Sequence, residues 1–322
     1  TRGADAGWAL AESKFKIPNT SKLYFKMVAT TGDVFRIDDI TLTDDKTRSG
    51  QDIVFEEPDP YPMAKFKYNE ENWAYTQDFN SLVWKAESDA YKEKSYAEGT
   101  YWIKGETLPG WYLSRTGNAN AGTFRIDNGG SYTAASFLSF GYLTLSSKPN
   151  ADKTNEDCLD RGLGTITNTA SGGIAIMGVV IKNNTSQTIR SLTISYSGHL
   201  WKGPNNNQAR QEKLEFSYAV NPTIILAGEN INNTDIMDDV VLGTAYPALD
   251  FNCPYPNETG GVKGYGKMDG FAAQNMTEVS GTLTVVIPPK GTILLRWKDE
   301  ALVDESHNYG KSIDNLKVVA NF

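Results

Sequence analysis

Carboxylates, aromatics and two cysteines are the side chains of this 322-residue chain that could do chemistry. Adjacent acids recur at Asp38-Asp39, Asp44-Asp45, Asp238-Asp239, Asp299-Glu300 and Asp304-Glu305. Glycoside hydrolysis needs two carboxyls facing each other across a cleft, about 5–10 Å apart. Nothing in the spacing selects such a pair, and solvated charge explains the runs. Asp304, Ser306 and His307 supply the residue types of a nucleophilic triad. Neighbours on a strand point to opposite faces, so their spacing does not suit one. The Gly-rich run Gly260–Lys267 lacks the strand-to-helix setting of a phosphate loop and reads as a turn-rich loop. No nucleophile elbow, zincin helix or dinucleotide fingerprint occurs.

The aromatics suggest recognition. Exposed rings can stack on the apolar faces of pyranoses while amides and carboxylates reach the hydroxyls. Trp201 ends a strand and meets the Asn-rich loop that contains Asn206. Tyr101-Trp102 and Tyr265 also stand beside turns. These five residues are the expected ligand-binding set, for a glycan or for another protein surface, where Tyr and Trp are enriched too. Trp111 and Trp297 fall in patterned strands and read as core.

The elements that must position these groups are strands. Gly (29), Tyr (16), Phe (13) and Trp (7) are plentiful, and period-2 runs such as Ser191–Tyr196, Lys213–Val220 and Gly281–Ile287 alternate with turn clusters. The expected fold is all-β, an antiparallel sandwich of jelly-roll type. The 231–242 stretch reads as strand or short helix. A net charge of −8 disfavours nucleic acid. No apolar run is long enough for a transmembrane helix.

The two ends of the chain repeat each other. Phe15–Met27 aligns without gaps on Val285–Trp297, and Ile37–Leu42 on Ile313–Val318. Residues 1–43 therefore read as the closing strands of a second jelly-roll-like domain, either truncated or docked on the main one. Residues 44–74 read as a Pro-rich acidic linker and 75–322 as one large sandwich.

Residues 75–320 resemble a β-sandwich domain of secreted, multidomain bacterial proteins of Bacteroidetes type. The resemblance rests on the order of Gln77–Leu82, Leu108–Gly117, Ser139–Gly141, Asp160–Gly164, Asn183–Lys202, Met268–Asn275, Leu295–Asp299 and Ser312–Leu316. His199 and Lys202 depart from it, where the family commonly has an acid and an Arg. The resemblance implies an exported surface module of carbohydrate-binding type, but no reaction. It also implies a candidate calcium ion tying first and last strands. Asp78 and Asp314 are the expected ligands, with Asp38 or Asp39 in the N-terminal copy. In an exported protein Cys158 and Cys253 read as one disulfide or as two buried thiols. Three functions follow: a non-catalytic module binding a polysaccharide or surface glycan, a structural or adhesive spacer between other domains, or part of a polysaccharide-degrading enzyme.

Overall fold

The computed structural model describes residues 59, 61–82, 102, 107–116, 124–127, 136–142, 160–167, 173–203, 212–221, 243–254, 266–300 and 309–322. Backbone contacts divide the chain into Thr1–Glu57 and Pro58–Phe322. The first unit lies outside the described residues, as does the 231–242 segment.

In chain order the strands are β1 (Ala64–Lys65), β2 (Lys67–Tyr68), β3 (Trp73–Gln77), β4 (Trp111–Thr116), β5 (Phe124–Asp127), β6 (Ser136–Phe140), β7 (Gly162–Ile166) and β8 (Ile174–Lys182). They continue as β9 (Ile189–Gly203), β10 (Lys213–Val220), β11 (Thr244–Ala245), β12 (Phe251–Asn252), β13 (Gly266–Lys267), β14 (Met276–Ile287), β15 (Thr292–Glu300) and β16 (Gly310–Asn321). No α-helix occurs among the described residues.

Two sheets form. One centres on β8, β15 and β10, with β4 and β1 on the far side of β8 and β11 and β12 beside β10. The other runs β5-β6-β7-β16-β9, with β3 beside β16, β2 beside β3, and β14 and β13 beside β9. From β8 onward the long strands change sheet at every step: β8, β10 and β15 in the first, β9, β14 and β16 in the second. That alternation makes hydrogen-bonded neighbours non-consecutive and gives an antiparallel sandwich of jelly-roll type. Among the described residues only β1–β8 and β5–β6 pair in parallel.

Period-2 patterning builds the core. Val279, Leu283, Val285 and Ile287 of β14 are buried while Glu278, Ser280, Thr284 and Val286 are exposed. Ring packing fills the centre. Trp111 stacks on Trp297 at 5.9 Å, and Tyr196 and Phe216 meet Trp297 edge-on at 5.6 and 5.3 Å. The Tyr196 hydroxyl donates to the Leu249 carbonyl at 2.6 Å and the Trp111 indole to the Tyr75 hydroxyl at 2.7 Å, which pairs these two buried donors. Trp111 and Trp297 are core residues, as their patterning indicates.

The sandwich begins earlier than residue 75. Ala64 and Phe66 are buried and alternate with exposed Lys65 and Lys67. Ala64 and Lys65 pair with the end of β8. The Asn184 side chain bonds both backbone groups of Phe66, at 2.9 and 3.0 Å. Lys182 holds Asp59 at 2.5 Å. The stretch after the three prolines thus completes a sheet edge, and the part of the expected linker from residue 59 onward joins the sandwich.

Candidate functional site

The outer face of the second sheet divides into an open half and a covered half. Along β9 the outward residues are Thr193, Ser195, Ser197, His199 and Trp201. Thr193 is exposed, whereas His199 and Trp201 are 2% and 1% exposed. The cover is the segment Met268–Asn275. Met268 N donates to the Trp201 carbonyl at 2.8 Å, and His199 Nδ1 contacts the Gly270 carbonyl at 2.8 Å. Phe271 meets the Trp201 ring edge-on at 4.8 Å, and Phe140 stacks on it at 5.6 Å. Gly270 lies so close that a Cβ there would stand 2.4 Å from the Trp201 ring. The Trp201 indole donates to Ser312 Oγ at 2.8 Å.

Around this stack segments distant in sequence converge. The Tyr142 hydroxyl donates to Asp269 at 2.7 Å, and Asn275 donates to the Asp269 carbonyl at 2.7 Å. The fully buried Arg161 donates to Ser139 Oγ and to the Tyr142 carbonyl, both at 2.9 Å, and its backbone N–H reaches Asn80 at 2.9 Å. Distant motifs thus close one buried polar latch, a role in folding that requires no ligand.

Beside the latch lies an acidic cluster at the junction of first and last strands. Asp314 and Asp78 are brought into one neighbourhood with Asp160, Glu278 and His199. A bulge in β16 between Asp314 and Lys317 places Asn315 at φ 52°. Asp314 caps that bulge, accepting the Asn315 N–H at 2.6 Å and its side-chain amide at 3.2 Å. A shallow depression opens there, lined by Thr76, Gln77, Asp78, Asn315, Leu316 and Lys317. Burial pushes the Asp314 carboxyl up to about 8, and the neighbouring Asp160, Asp78 and Glu278 add to the effect. Burial likewise raises Asp160, against the pull of His199 and Arg161. Burial lowers His199, opposed by the Gly270 carbonyl, Asp160 and Glu278. The buried His199 Nε2 has no hydrogen-bond partner.

Among the described residues no three His, Cys, Asp or Glu side chains are arranged to hold a metal ion. Asp78 accepts the backbone N–H of Asn80 at 3.1 Å, which closes a local turn. Asp38 and Asp39 lie outside the described residues.

Of the expected aromatic platform, the two tryptophans are buried. Trp201 is enclosed in the latch. Trp102 is 2% exposed and packs on Phe124 at 5.1 Å. Neither ring face is available to a sugar. Tyr101, Asn206 and Tyr265 lie outside the described residues, as does Cys158. Cys253 is buried, and burial pushes its thiol up.

At the β2–β3 hairpin an exposed tyrosine lies beside a half-buried tryptophan that packs on the core. Tyr68 of β2 is 59% exposed and faces Trp73 of β3 across the hairpin, with rings 5.6 Å apart. The hairpin tip carries Asn69, Glu70, Glu71 and Asn72. Asn69 Oδ1 accepts the Asn72 N–H at 2.9 Å, and the Tyr68 hydroxyl donates to the Glu70 carbonyl at 2.9 Å, which fixes the ring. Trp73 pairs with Ala320, two residues before Phe322, and β14, across β9 and β16, finishes at the same end of the sheet. Among the described residues the exposed large apolar side chains, Tyr68, Phe322 and Val286, therefore belong to one end of the second sheet.

No protein-family model matches the chain, and no curated protein matches it. Solved structures overlap it weakly, among them the following three. A domain of the bacteriophage CBA120 tailspike protein 4, described as enzymatically active, aligns over 66% of this chain at 10% identity and a TM-score of 0.29. The chain covers only 19% of that tailspike chain. The module TmCBM61, solved with β-1,4-galactotriose, aligns over 66% of this chain and 88% of its own, at 8% identity and 0.27. The K2 cleaved adhesin domain of Lys-gingipain aligns over 77% and 98%, at 10% identity and 0.29. At these scores the likenesses do not bear on the site, which rests on this chain's own residues.

Proposed function

We propose that the unit from Pro58 to Phe322 is a non-catalytic, exported module that binds a glycan chain at the Tyr68–Trp73 end of its second sheet. The observation that carries this reading is the exposed Tyr68 ring. A large aromatic left 59% exposed and held by its own hydroxyl is preorganised for a flat apolar partner. The half-buried Trp73 ring lies 5.6 Å from Tyr68, and the exposed Glu70 and Glu71 of the hairpin tip supply carboxylates that can accept from hydroxyls. The buried rings of Trp201 and Trp102 take no part. The spacer reading differs in requiring no such surface.

Affinity electrophoresis through gels containing a panel of polysaccharides tests the proposal. At least one polysaccharide retards the wild-type chain, and Tyr68→Ala weakens that retention about tenfold or more. The same substitution changes stability by less than about 0.5 kcal/mol, since the ring is mostly in water. Retention by no polysaccharide favours the spacer. Unchanged retention of Tyr68→Ala rejects this surface.

A further inference from the structure

A second group of reactive side chains lies inside the sandwich, away from the proposed glycan surface. Lys311 of β16 is fully buried. Its Nζ stands 2.7 Å from Asp299 Oδ1 and 2.6 Å from Glu212 Oε2. Asp299, also fully buried, lies on β15 in the opposite sheet. Thr167 Oγ1 donates to Asp299 Oδ1 at 3.0 Å, and Thr165 Oγ1 donates to Oδ2. The ring of Tyr309 covers the amine at 5.9 Å, and Cys253 and Leu200 are buried around it.

We propose that Lys311 and Asp299 form an intramolecular isopeptide bond, with Glu212 as the proton carrier. The arrangement holds each part such a condensation needs. The nucleophile and the carboxyl are in contact, so the carboxyl carbon lies within about 4 Å of Nζ, close to an attack distance. Two hydroxyls bond the Asp299 oxygens and stabilise charge that builds on them when the carbon becomes tetrahedral. Glu212 touches the amine and can take its proton. The site is dry, which disfavours the three charges and favours the neutral amide product.

The step balances without a co-reactant. Glu212 takes a proton from the Lys311 ammonium, and the freed nitrogen attacks Asp299 Cγ. The C–N bond forms and a C–O bond breaks. One ammonium hydrogen stays on the amide nitrogen. The other two leave with the carboxylate oxygen as water, and Glu212 returns to its carboxylate form. The two carboxylates hold the Lys311 amine in its charged form, opposing the effect of burial. A reaction that runs once per chain needs only a small neutral fraction. The product ties β15 covalently to β16 and thus one sheet to the other.

Intact-mass spectrometry of the full chain tests this directly. The expected mass is about 18 Da, one water, below that of the sequence. Digestion yields a branched peptide joining positions 299 and 311. Lys311→Arg keeps the charge but not the chemistry, and runs at full mass. Glu212→Gln, shown to be folded by circular dichroism, lowers the cross-linked fraction at least tenfold. A wild-type chain at full sequence mass overturns the proposal and leaves a plain buried ion pair. A water loss mapped anywhere else overturns it as well. Full cross-linking in Glu212→Gln contradicts the proton-carrier role.

Discussion

Asp314 is a buried carboxyl set among other carboxyls, and this governs how the latch side of the sandwich responds to pH. Its folded-state value, about 8, lies above the ordinary 3.8. Between about pH 4 and pH 8 the folded chain therefore holds a proton that the unfolded chain has released. Stability from this group falls as pH rises through that window. His199 works in the opposite sense. Its value is lowered from 6.5, so the folded chain stays neutral where the unfolded chain takes a proton. Stability from it falls as pH drops below about 6.5. Asp314→Asn keeps the acceptor for the Asn315 N–H and removes the ionisation. Thermal melts should place this variant above wild type by at least about 2 °C at pH 8, with the gap closing toward pH 4. Trp201→Ala is a second residue-scale prediction. Urea unfolding should show a loss of about 3–5 kcal/mol, with polysaccharide retention unchanged at a temperature where the variant is folded. The sequence could not show that Trp201 is buried. Its period-2 neighbours Thr193, Ser195 and Ser197 are polar, so the strand itself points Trp201 toward solvent. The segment that covers it arrives from about 70 residues further along the chain.

At the scale of elements, strand identity was legible because each face of a strand sets its own alternation. β9, β10, β14, β15 and β16 all coincide with apolar periodicity in the sequence. Short partners such as β1 and β2 were not legible. Two residues carry no period, and the prolines before them read as linker. The bulge at Asn315 was hidden for a similar reason. It inserts one residue and turns Asp314 outward while Leu316 and Val318 stay inside. The Met268–Asn275 cover is an element whose place depends on Gly270. Gly270→Ala puts a methyl where the Trp201 ring stands, so the cover must lift. The expected result is a lower melting temperature and a red shift of tryptophan emission, read in the folded protein by fluorescence. An unshifted spectrum and an unchanged melt would contradict the latch.

For the whole molecule, sheet-switching between successive strands means that every long strand packs against residues far away in sequence. This explains why fold class was legible and the sites were not. An antiparallel sandwich follows from alternation and turn spacing, whereas Asp78 meeting Asp314, or Lys311 meeting Asp299 and Glu212, follows from closure. Closure also decides which aromatics remain outside. It buries Trp102, Trp111, Trp201 and Trp297 and leaves Tyr68 exposed beside the half-buried Trp73 at a sheet end. The central claim is that this end is the binding surface. It is tested most directly by two-dimensional amide NMR of the 58–322 unit within the full chain, titrated with an oligosaccharide from the best-retained polysaccharide. The account predicts that the Trp73 indole N–H and the backbone amides of residues 67–73 shift with ligand, while the Trp201 indole stays fixed. Shifts at the Trp201 indole with a silent 67–73 hairpin would contradict it.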